Sequence, residues 1–287
     1  MCRFLAYKGS PIVLYELLYK PKNSLIHQSY HALERRDPVN ADGFGVGWYM
    51  PDISPEPALF TGIQPAWNNR NLRNLTAKTR SGCVLAHVRA AGTGDVAISN
   101  CHPFQYQKLL MMHNGDLGGF GFIKRKLRER LSDEAYNWIK GETDSEHFFA
   151  LFLTHLLKEP KDDYTHEEIV SALQNAVAEL KDVLAEQNIP NPFYLNVVVS
   201  DGGDLIALRY DTDPNLEPPT LYYSRGSRYE CHDNGICRIV EADPSEHAVL
   251  IVSEKLTDVL EDWHQVPPAH FVVVTEKLET YLMAIDV

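Results

Sequence analysis

A helical middle between two groups of strands is the feature that most constrains what this chain can fold into. Apolar runs at Val84–Ala90 and Leu109–His113 are typical of buried strands, and strand patterns dominate again from Phe193 onward. This order predicts an α+β fold in which helices cover antiparallel sheets. No internal repeat or long linker divides the chain, so we predict one domain over residues 1–287. The helical patterns cover Phe120–Leu131, Asp133–Lys140, Glu146–Leu157 and His166–Asn188.

The overall composition excludes several classes of protein. The 287 residues carry a net charge of -12, which argues against nucleic acid or an anionic membrane as a partner, because both attract a basic face. No apolar run approaches the roughly 18 residues that a membrane-spanning helix needs, and we expect no signal peptide. The five cysteines are odd in number and scattered, unlike a disulfide framework, so we expect a reduced, cytoplasmic protein.

The second residue is a cysteine, and removal of Met1 would make it the first. An N-terminal cysteine carries an α-amine beside its thiol. Their ordinary pKa values are about 7.7–8.0 and about 8.5, so the amine can take the thiol proton near neutral pH. Cys2 is therefore a candidate nucleophile with its own base. The other interpretation is an ordinary residue of a buried strand.

Three glycines alternate along the strand predicted over Asp42–Tyr49, namely Gly43, Gly45 and Gly47. Glycine is costly to order in a strand. The pattern therefore indicates either that another backbone or a ligand approaches closely, or that this is a bulged edge strand.

Two pairs of residues could complete a site around Cys2. Asn114 and Gly115 follow a buried strand and offer an amide and a backbone N–H, as an oxyanion hole requires, although Asn-Gly is also a common tight turn. Arg89 ends an apolar strand, where it could hold a carboxylate through two hydrogen bonds or pair with an acid at the rim. Asp144 lies in the first turn of a helix, which favours acids and also suits a substrate ammonium.

Six short segments that contain these residues occur in a fixed order and together resemble the class II glutamine amidotransferases, which are N-terminal-nucleophile hydrolases. The resemblance covers about half of the chain, and the catalytic motifs lie within residues 2–146. The segments are Met1-Cys2-Arg3-Phe4, Asp42-Gly43-Phe44-Gly45-Val46-Gly47-Trp48, Ala86-His87-Val88-Arg89-Ala90-Ala91, Asn100-Cys101-His102-Pro103-Phe104, His113-Asn114-Gly115 and Thr143-Asp144-Ser145-Glu146.

The resemblance implies a four-layer αββα sandwich of two antiparallel sheets and cleavage of a γ-glutamyl amide. It implies that Cys2 is the nucleophile, with its α-amine as the base, and that Asn114 and Gly115 form the oxyanion hole. Arg89 then holds the glutamyl α-carboxylate and Asp144 holds the α-ammonium.

The same resemblance assigns further residues to substrate binding. His102 and the glycine strand, with Gly43, line the pocket. Many relatives place a threonine near the carboxylate shortly after the arginine, whereas this chain has Ala90-Ala91-Gly92-Thr93. Either Thr93 makes that contact from one place along, or the α-carboxylate loses it.

Within the family, the segments at Asn100–Phe104, Met112–Gly115 and Ile139–His147 look closest to a stand-alone branch. That branch includes the fungal glutathione-degradation subunit and the bacterial ergothioneine-pathway amidohydrolase. The resemblance therefore favours hydrolysis of glutamine or of a γ-glutamyl peptide or thiol, such as a glutathione-like compound, without a cofactor or metal. The alternative is an amidotransferase or regulatory subunit that is active only with a partner peptidase or synthetase chain.

Overall fold

The computed structural model describes residues 2–34, 38–213, 219–224, 227–231, 237–241 and 247–287. In chain order the helices are α1 (Leu14–Leu18), α2 (Leu25–Tyr30), α3 (Arg70–Thr76), α4 (Phe120–Glu129), α5 (Asp133–Trp138), α6 (Asp144–Leu156) and α7 (His166–Glu186). The strands are β1 (Arg3–Val13), β2 (Phe44–Met50), β3 (Ser54–Gly62), β4 (Arg80–Val88), β5 (Phe104–Tyr106), β6 (Leu109–Asp116), β7 (Tyr194–Ser200), β8 (Leu205–Asp211), β9 (Tyr222–Tyr223), β10 (Ser227–Cys231), β11 (Cys237–Glu241), β12 (Ala248–Val252), β13 (His264–Gln265), β14 (His270–Val274) and β15 (Thr280–Ala284).

The described strands form two sheets whose pairings are antiparallel. The first sheet has 9 strands, with the main order β11-β10-β12-β1-β4-β2-β3 and with β9 and β13 joined beside β12. The second has 6 strands, in the order β15-β14-β8-β7-β6-β5. The first strand of the chain is therefore central in its sheet, with β12 on one side and β4 on the other. Strands after residue 190 complete both sheets.

Apolar side chains fill three layers of core. Between the two sheets lie residues such as Phe4, Leu85 and Met112. A second core joins α1, α2 and α3 to the outer face of the first sheet, and a third joins α4, α5, α6 and α7 to the outer face of the second. The order helices, sheet, sheet, helices confirms the predicted four-layer αββα sandwich.

Helix α6 is apolar on nearly every side because neighbouring helices and the second sheet enclose it. Its first turn is capped by Thr143, whose side-chain oxygen accepts a hydrogen bond of 3.1 Å from the backbone N–H of Glu146. The buried carboxylate of Glu146 accepts in turn from the backbone N–H groups of Lys140 and Gly141. The start of α6, which carries Asp144, is thereby fixed against the preceding loop.

The glycine strand β2 lies between β4 and β3, so it is not an edge strand. A Cβ atom at Gly45 would lie only 2.1 Å from the carbonyl oxygen of His102, and one at Gly47 would lie 2.5 Å from a methyl carbon of Leu110. The interpretation as a bulged edge strand is therefore wrong. The close approach of another part of the chain is confirmed, because the segment at His102 crosses directly over β2.

The expectation that every cysteine is reduced is wrong at one position. Cys237 is disulfide-bonded, whereas Cys2, Cys83 and Cys101 are free. In the hairpin of β10 and β11, Cys237 lies in register opposite Cys231. The hairpin brings these two positions into register, which the scattered spacing in the sequence does not reveal.

None of the described helices combines the length and the apolar character that crossing a membrane requires.

Candidate active site

Cys2 lies at the start of β1, beside the end of β4. The register of these strands pairs Arg3 with Val88, so the residues that follow β4 lie next to Cys2. The Cys2 Sγ atom accepts a hydrogen bond of 3.4 Å from the backbone N–H of Ala90. Around it is a cavity of about 520 Å³, lined by Cys2, Arg89, Ala90, Ala91, Gly92, Thr93, His102, His113, Gly115, Asp116, Thr143, Asp144, Ser145 and Tyr194.

The thiol of Cys2 needs a base to react near neutral pH. Burial raises its pKa to about 11, although the hydrogen bond with Ala90 and the positive charge of Arg89 act in the opposite direction. At pH 7 a thiol with this pKa is ionised in only about one molecule in ten thousand. Met1 lies outside the described residues, so its predicted removal, which would free the α-amine as a base, stays a prediction.

The side chain of Asn114 reaches Cys2 from the second sheet. Its Nδ2 atom donates a hydrogen bond of 3.0 Å to the carbonyl oxygen of Cys2, and its Oδ1 atom lies 3.1 Å from His87 Nε2. Burial lowers the pKa of His87 to about 3, so the ring is neutral at physiological pH. Because Asn114 Oδ1 can only accept, the proton of His87 lies on Nε2, and the hydrogen-bond network assigns this tautomer.

Gly115 lies on an edge of β6 that faces the cavity. Strand β5 pairs only with residues 109–111 of β6, so no described strand covers that edge at Gly115. A Cβ atom at this position would lie 2.0 Å from the carbonyl oxygen of Tyr194 and 2.1 Å from His113 Nε2. Glycine is required here by packing, and its backbone lines the cavity together with Cys2.

Arg89 is only 2% exposed, and its guanidinium holds the loop that follows it. Its Nη2 atom donates to the carbonyl oxygens of Thr93 at 3.0 Å and Gly94 at 3.2 Å, and Nη1 donates to that of Asp95 at 3.0 Å. These contacts use at most three of the five N–H donors of an arginine. At least two donors therefore remain for a carboxylate in the cavity.

Thr93 and Gly43 occupy different places relative to the cavity. Thr93 lines it next to Arg89, so it is placed for the contact that the sequence left open. Gly43 is not among the lining residues. Its carbonyl oxygen accepts a hydrogen bond of 2.8 Å from the backbone N–H of Arg89, so Gly43 helps to fix the backbone of the arginine. Its φ of 124° is one that residues with a side chain rarely adopt.

Asp144 enters the cavity from the start of α6. Its Oδ2 atom accepts a hydrogen bond of 3.1 Å from the backbone N–H of Leu117, and its Oδ1 atom accepts one of 2.8 Å from that of Ser145. Each carboxylate oxygen has further lone pairs, so a substrate ammonium can still bind. Arg89 and Asp144 thus place opposite charges in one cavity.

His102 lines the cavity in a stack of rings, with its centroid 4.3 Å from that of His87 and 4.4 Å from that of Phe104. Burial holds the pKa of His102 well below its ordinary value, so the ring is neutral. Neither ring nitrogen has a hydrogen-bond partner among the described residues. Both nitrogens are also buried, so neither is exposed to the cavity in this arrangement.

Sequence reasoning did not assign several residues that belong to the site. Asp116 lines the cavity, and its position directly after Asn114-Gly115 could have indicated this. His113 Nδ1 lies 2.8 Å from Ser145 Oγ, and both residues lie within the recognised segments. No sequence pattern near Tyr194 marks it as a residue of the site, because only the register of β6 and β7 places it opposite Asp116.

Within the described part of the chain, no group of three histidine, cysteine or acidic side chains could hold a metal ion. The chemistry available is that of a thiol, an amide and a backbone N–H beside it, the guanidinium of Arg89, and the carboxyl groups of Asp116 and Asp144. This set is suited to acyl transfer from a small zwitterionic substrate.

An αββα sandwich with a cysteine at the start of a central strand is the architecture of the N-terminal-nucleophile fold. The chain belongs to the class II glutamine amidotransferases, because the model of the family "Glutamine amidotransferases class-II" matches residues 22–283.

Two similar proteins match different shares of the chain. The probable glutamine amidotransferase DUG3 of Saccharomyces cerevisiae is 40% identical over 300 residues, which cover 99% of this chain and 84% of that protein. The gamma-glutamyl-hercynylcysteine sulfoxide hydrolase of Mycobacterium tuberculosis is 32% identical over 117 residues, which cover 40% of this chain and 49% of that protein.

Solved structures show the same architecture. A glutamine aminotransferase class-II domain protein from Silicibacter pomeroyi superposes with a TM-score of 0.68 at 26% identity, with all of both chains covered. The glutamine phosphoribosylpyrophosphate amidotransferase of B. subtilis superposes with a TM-score of 0.60 at 15% identity, over 100% of this chain and 50% of that one. The second likeness concerns the fold alone.

Proposed function

We propose that this protein hydrolyses the γ-glutamyl amide bond of a small compound through an acyl-enzyme on Cys2. The observation that carries the proposal is the shared cavity. Cys2, the guanidinium-bearing Arg89, the carboxyl-bearing Asp144 and Gly115 all line it. A γ-glutamyl group has an α-carboxylate and an α-ammonium at one end and the scissile carbonyl at the other, so it matches this set of groups.

In the proposed reaction the α-amine of Cys2, freed by removal of Met1, takes the thiol proton while Sγ attacks the δ-carbonyl carbon. The oxyanion that forms accepts hydrogen bonds from Asn114 Nδ2 and the N–H of Gly115. The carbon–nitrogen bond then breaks, and the α-ammonium gives its proton to the leaving amine. Water, deprotonated by the same amine, attacks the thioester and releases glutamate and the thiol.

The leaving group is proposed to be an amino acid, peptide or thiol amine of the glutathione type rather than ammonia alone. Two observations support this. The strands after residue 190 complete the two sheets, so the described residues form no second domain that could consume ammonia. A relative that is 32% identical over 117 residues is named a gamma-glutamyl-hercynylcysteine sulfoxide hydrolase. Thr93 and His102 are proposed to contact the substrate from the cavity wall.

The test uses protein whose intact mass shows that Met1 is absent. It is incubated with glutamine, glutathione and other γ-glutamyl compounds, and released glutamate is measured. We expect turnover of at least one γ-glutamyl compound and none by Cys2→Ala, which removes the nucleophile. Cys83→Ala is the matched control, because Cys83 is a free, buried cysteine of β4 that does not line the cavity. Turnover by Cys2→Ala would exclude the proposed nucleophile.

The alternative function is that of an amidotransferase or regulatory subunit that acts only with a partner chain. The similarity to a probable glutamine amidotransferase over nearly the whole chain favours keeping it. The same preparation decides between the two. Turnover by the purified chain supports a stand-alone hydrolase. If chain with a free N-terminal Cys2 releases no glutamate from any compound, the stand-alone function is wrong.

A further inference from the structure

Glu254 is a buried acid, 1% exposed, in the loop that follows β12. Its carboxylate accepts hydrogen bonds from four donors: Arg3 Nε at 2.9 Å, Asn23 Nδ2 at 2.9 Å, and the backbone N–H groups of Leu33 at 2.9 Å and Glu34 at 3.3 Å. The paired side chains of Arg3 and Glu254 are 6% and 2% exposed. A buried ion pair is a weak device for stability, because desolvation offsets much of the attraction. A specific structural task explains this one better.

The guanidinium of Arg3 connects this acid to the proposed nucleophile. While Nε donates to Glu254, Nη1 donates a hydrogen bond of 3.1 Å to the carbonyl oxygen of Cys2. The same oxygen accepts from Asn114 Nδ2 at 3.0 Å. A carbonyl oxygen has two lone pairs, so both are used.

Holding this carbonyl determines where the reactive groups of Cys2 point. The carbonyl carbon is bonded to the Cα atom that carries both the thiol side chain and the α-amine. The carbonyl oxygen accepts from one donor of each sheet, Arg3 and Asn114. Together these two hydrogen bonds restrict rotation about the bond between the Cα atom and the carbonyl carbon of Cys2. The planar guanidinium makes both contacts at once, which the single ammonium of a lysine cannot reproduce in the same geometry.

We propose that the Arg3–Glu254 ion pair is a positioning device for Cys2, in which Glu254 holds Arg3 and Arg3 holds the Cys2 carbonyl so that the α-amine and the thiol keep their orientation relative to the cavity. The inference rests on the proposed role of Cys2. It also extends the site beyond residues 2–146, since Glu254 lies in the loop that follows β12.

The charges around Cys2 make the pair testable by electrostatics as well as by rate. The charged groups that act on the thiol are Arg89, Asp144 and Arg3, and the Cys101 thiol is also close enough to interact with it. In the intact pair, Glu254 balances Arg3. Removing one member leaves the other as an uncompensated charge near Cys2, so the two single variants act on its acidity in opposite directions.

The experiment compares three variants of chain from which Met1 has been removed. Glu254→Gln leaves the Arg3 cation, so the pH midpoint of Cys2 alkylation by iodoacetamide moves to lower pH, by roughly half a unit or more. Arg3→Met leaves the Glu254 carboxylate, so the midpoint moves to higher pH. Arg3→Lys keeps the charge and the ion pair and leaves the midpoint unchanged. All three lower kcat on the best γ-glutamyl substrate by about tenfold or more, because the carbonyl contact is lost or loosened, while KM changes little.

Leu173→Ala on α7 is the control for a loss of stability alone, because Leu173 is fully buried and is not among the residues that line the cavity. It shifts neither the alkylation midpoint nor kcat at temperatures where it is folded. The proposal would be overturned if Glu254→Gln and Arg3→Met had the same pH midpoint of Cys2 alkylation. A wild-type kcat in Arg3→Lys would also overturn it. If Glu254→Gln does not fold, the alkylation midpoint of Arg3→Met and the kcat of Arg3→Lys test the proposal. If wild-type protein turns over no substrate, the proposed function fails, but alkylation still tests the positioning.

Discussion

His87 Nε2 and Asn114 Oδ1 lie 3.1 Å apart across the interface between the two sheets. This contact sets which end of the Asn114 amide faces Cys2. With Oδ1 held by the histidine, Nδ2 points to the Cys2 carbonyl and to the proposed oxyanion position. A neutral histidine in one sheet thereby orients a donor that belongs to the other.

Replacing His87 by Phe should leave the fold intact and reduce kcat by about 10- to 100-fold, because the amide of Asn114 loses its fixed orientation. His87→Gln, whose side-chain amide can also donate to Oδ1, should recover part of the loss. Single-turnover release of glutamate measures the effect. A wild-type rate in His87→Phe would show that the Asn114 amide keeps its orientation without the hydrogen bond from His87.

Arg89→Lys keeps the positive charge but loses the planar fork. The lysine cannot hold the carbonyl oxygens of Thr93, Gly94 and Asp95 and also bind a carboxylate with two hydrogen bonds. We expect kcat/KM for γ-glutamyl compounds to fall by about 10- to 100-fold, mainly through KM. Arg80→Lys is the control, because Arg80 is exposed at the far end of β4, where its guanidinium donates a hydrogen bond to the carbonyl oxygen of Pro11. Equal kinetic constants in both variants would remove Arg89 from the site.

Most of the fold and part of the site could be predicted from the sequence, because local patterns carry them. The order of strands and helices predicted antiparallel sheets covered by helices, and the family resemblance implied the four layers. The ends of apolar strands indicated Asn114-Gly115 and Arg89 as candidates. The roles of His87 and Glu254 could not be predicted. His87 acts through the packing of one sheet on the other, and Glu254 acts through the pairing of β12 with β1.

The close packing of Gly115 gives a direct test of the cavity wall. Gly115→Ala places a Cβ atom 2.0 Å from a backbone oxygen, which cannot move without disturbing β7. We expect loss of activity and a lower free energy of unfolding. Gly121→Ala is the matched control, since nothing lies within 4 Å of its Cβ position in α4. It should keep full activity and gain up to about 1 kcal/mol of stability. Urea unfolding and glutamate release measure both, and an active Gly115→Ala would show that the described packing is wrong.

Burial lowers the pKa of His87, His102 and His113, and this predicts how stability depends on pH. In the unfolded chain these histidines have pKa values near 6.5, so below about pH 6.5 the unfolded state binds more protons than the folded one. Each histidine then lowers the free energy of unfolding by up to about 1.4 kcal/mol per pH unit as the pH falls, and the loss is absent above about pH 7.5. Urea unfolding at pH 7.5, 6.5, 5.5 and 5.0 measures the slope. Glutamine cannot titrate, so His87→Gln should reduce that slope by up to about 1.4 kcal/mol per pH unit, which is the contribution of one proton. This reduction is independent of the effect of the substitution on stability at pH 7.5. An unchanged slope would mean that His87 takes up no proton on unfolding, which would contradict the low pKa of the buried His87 ring.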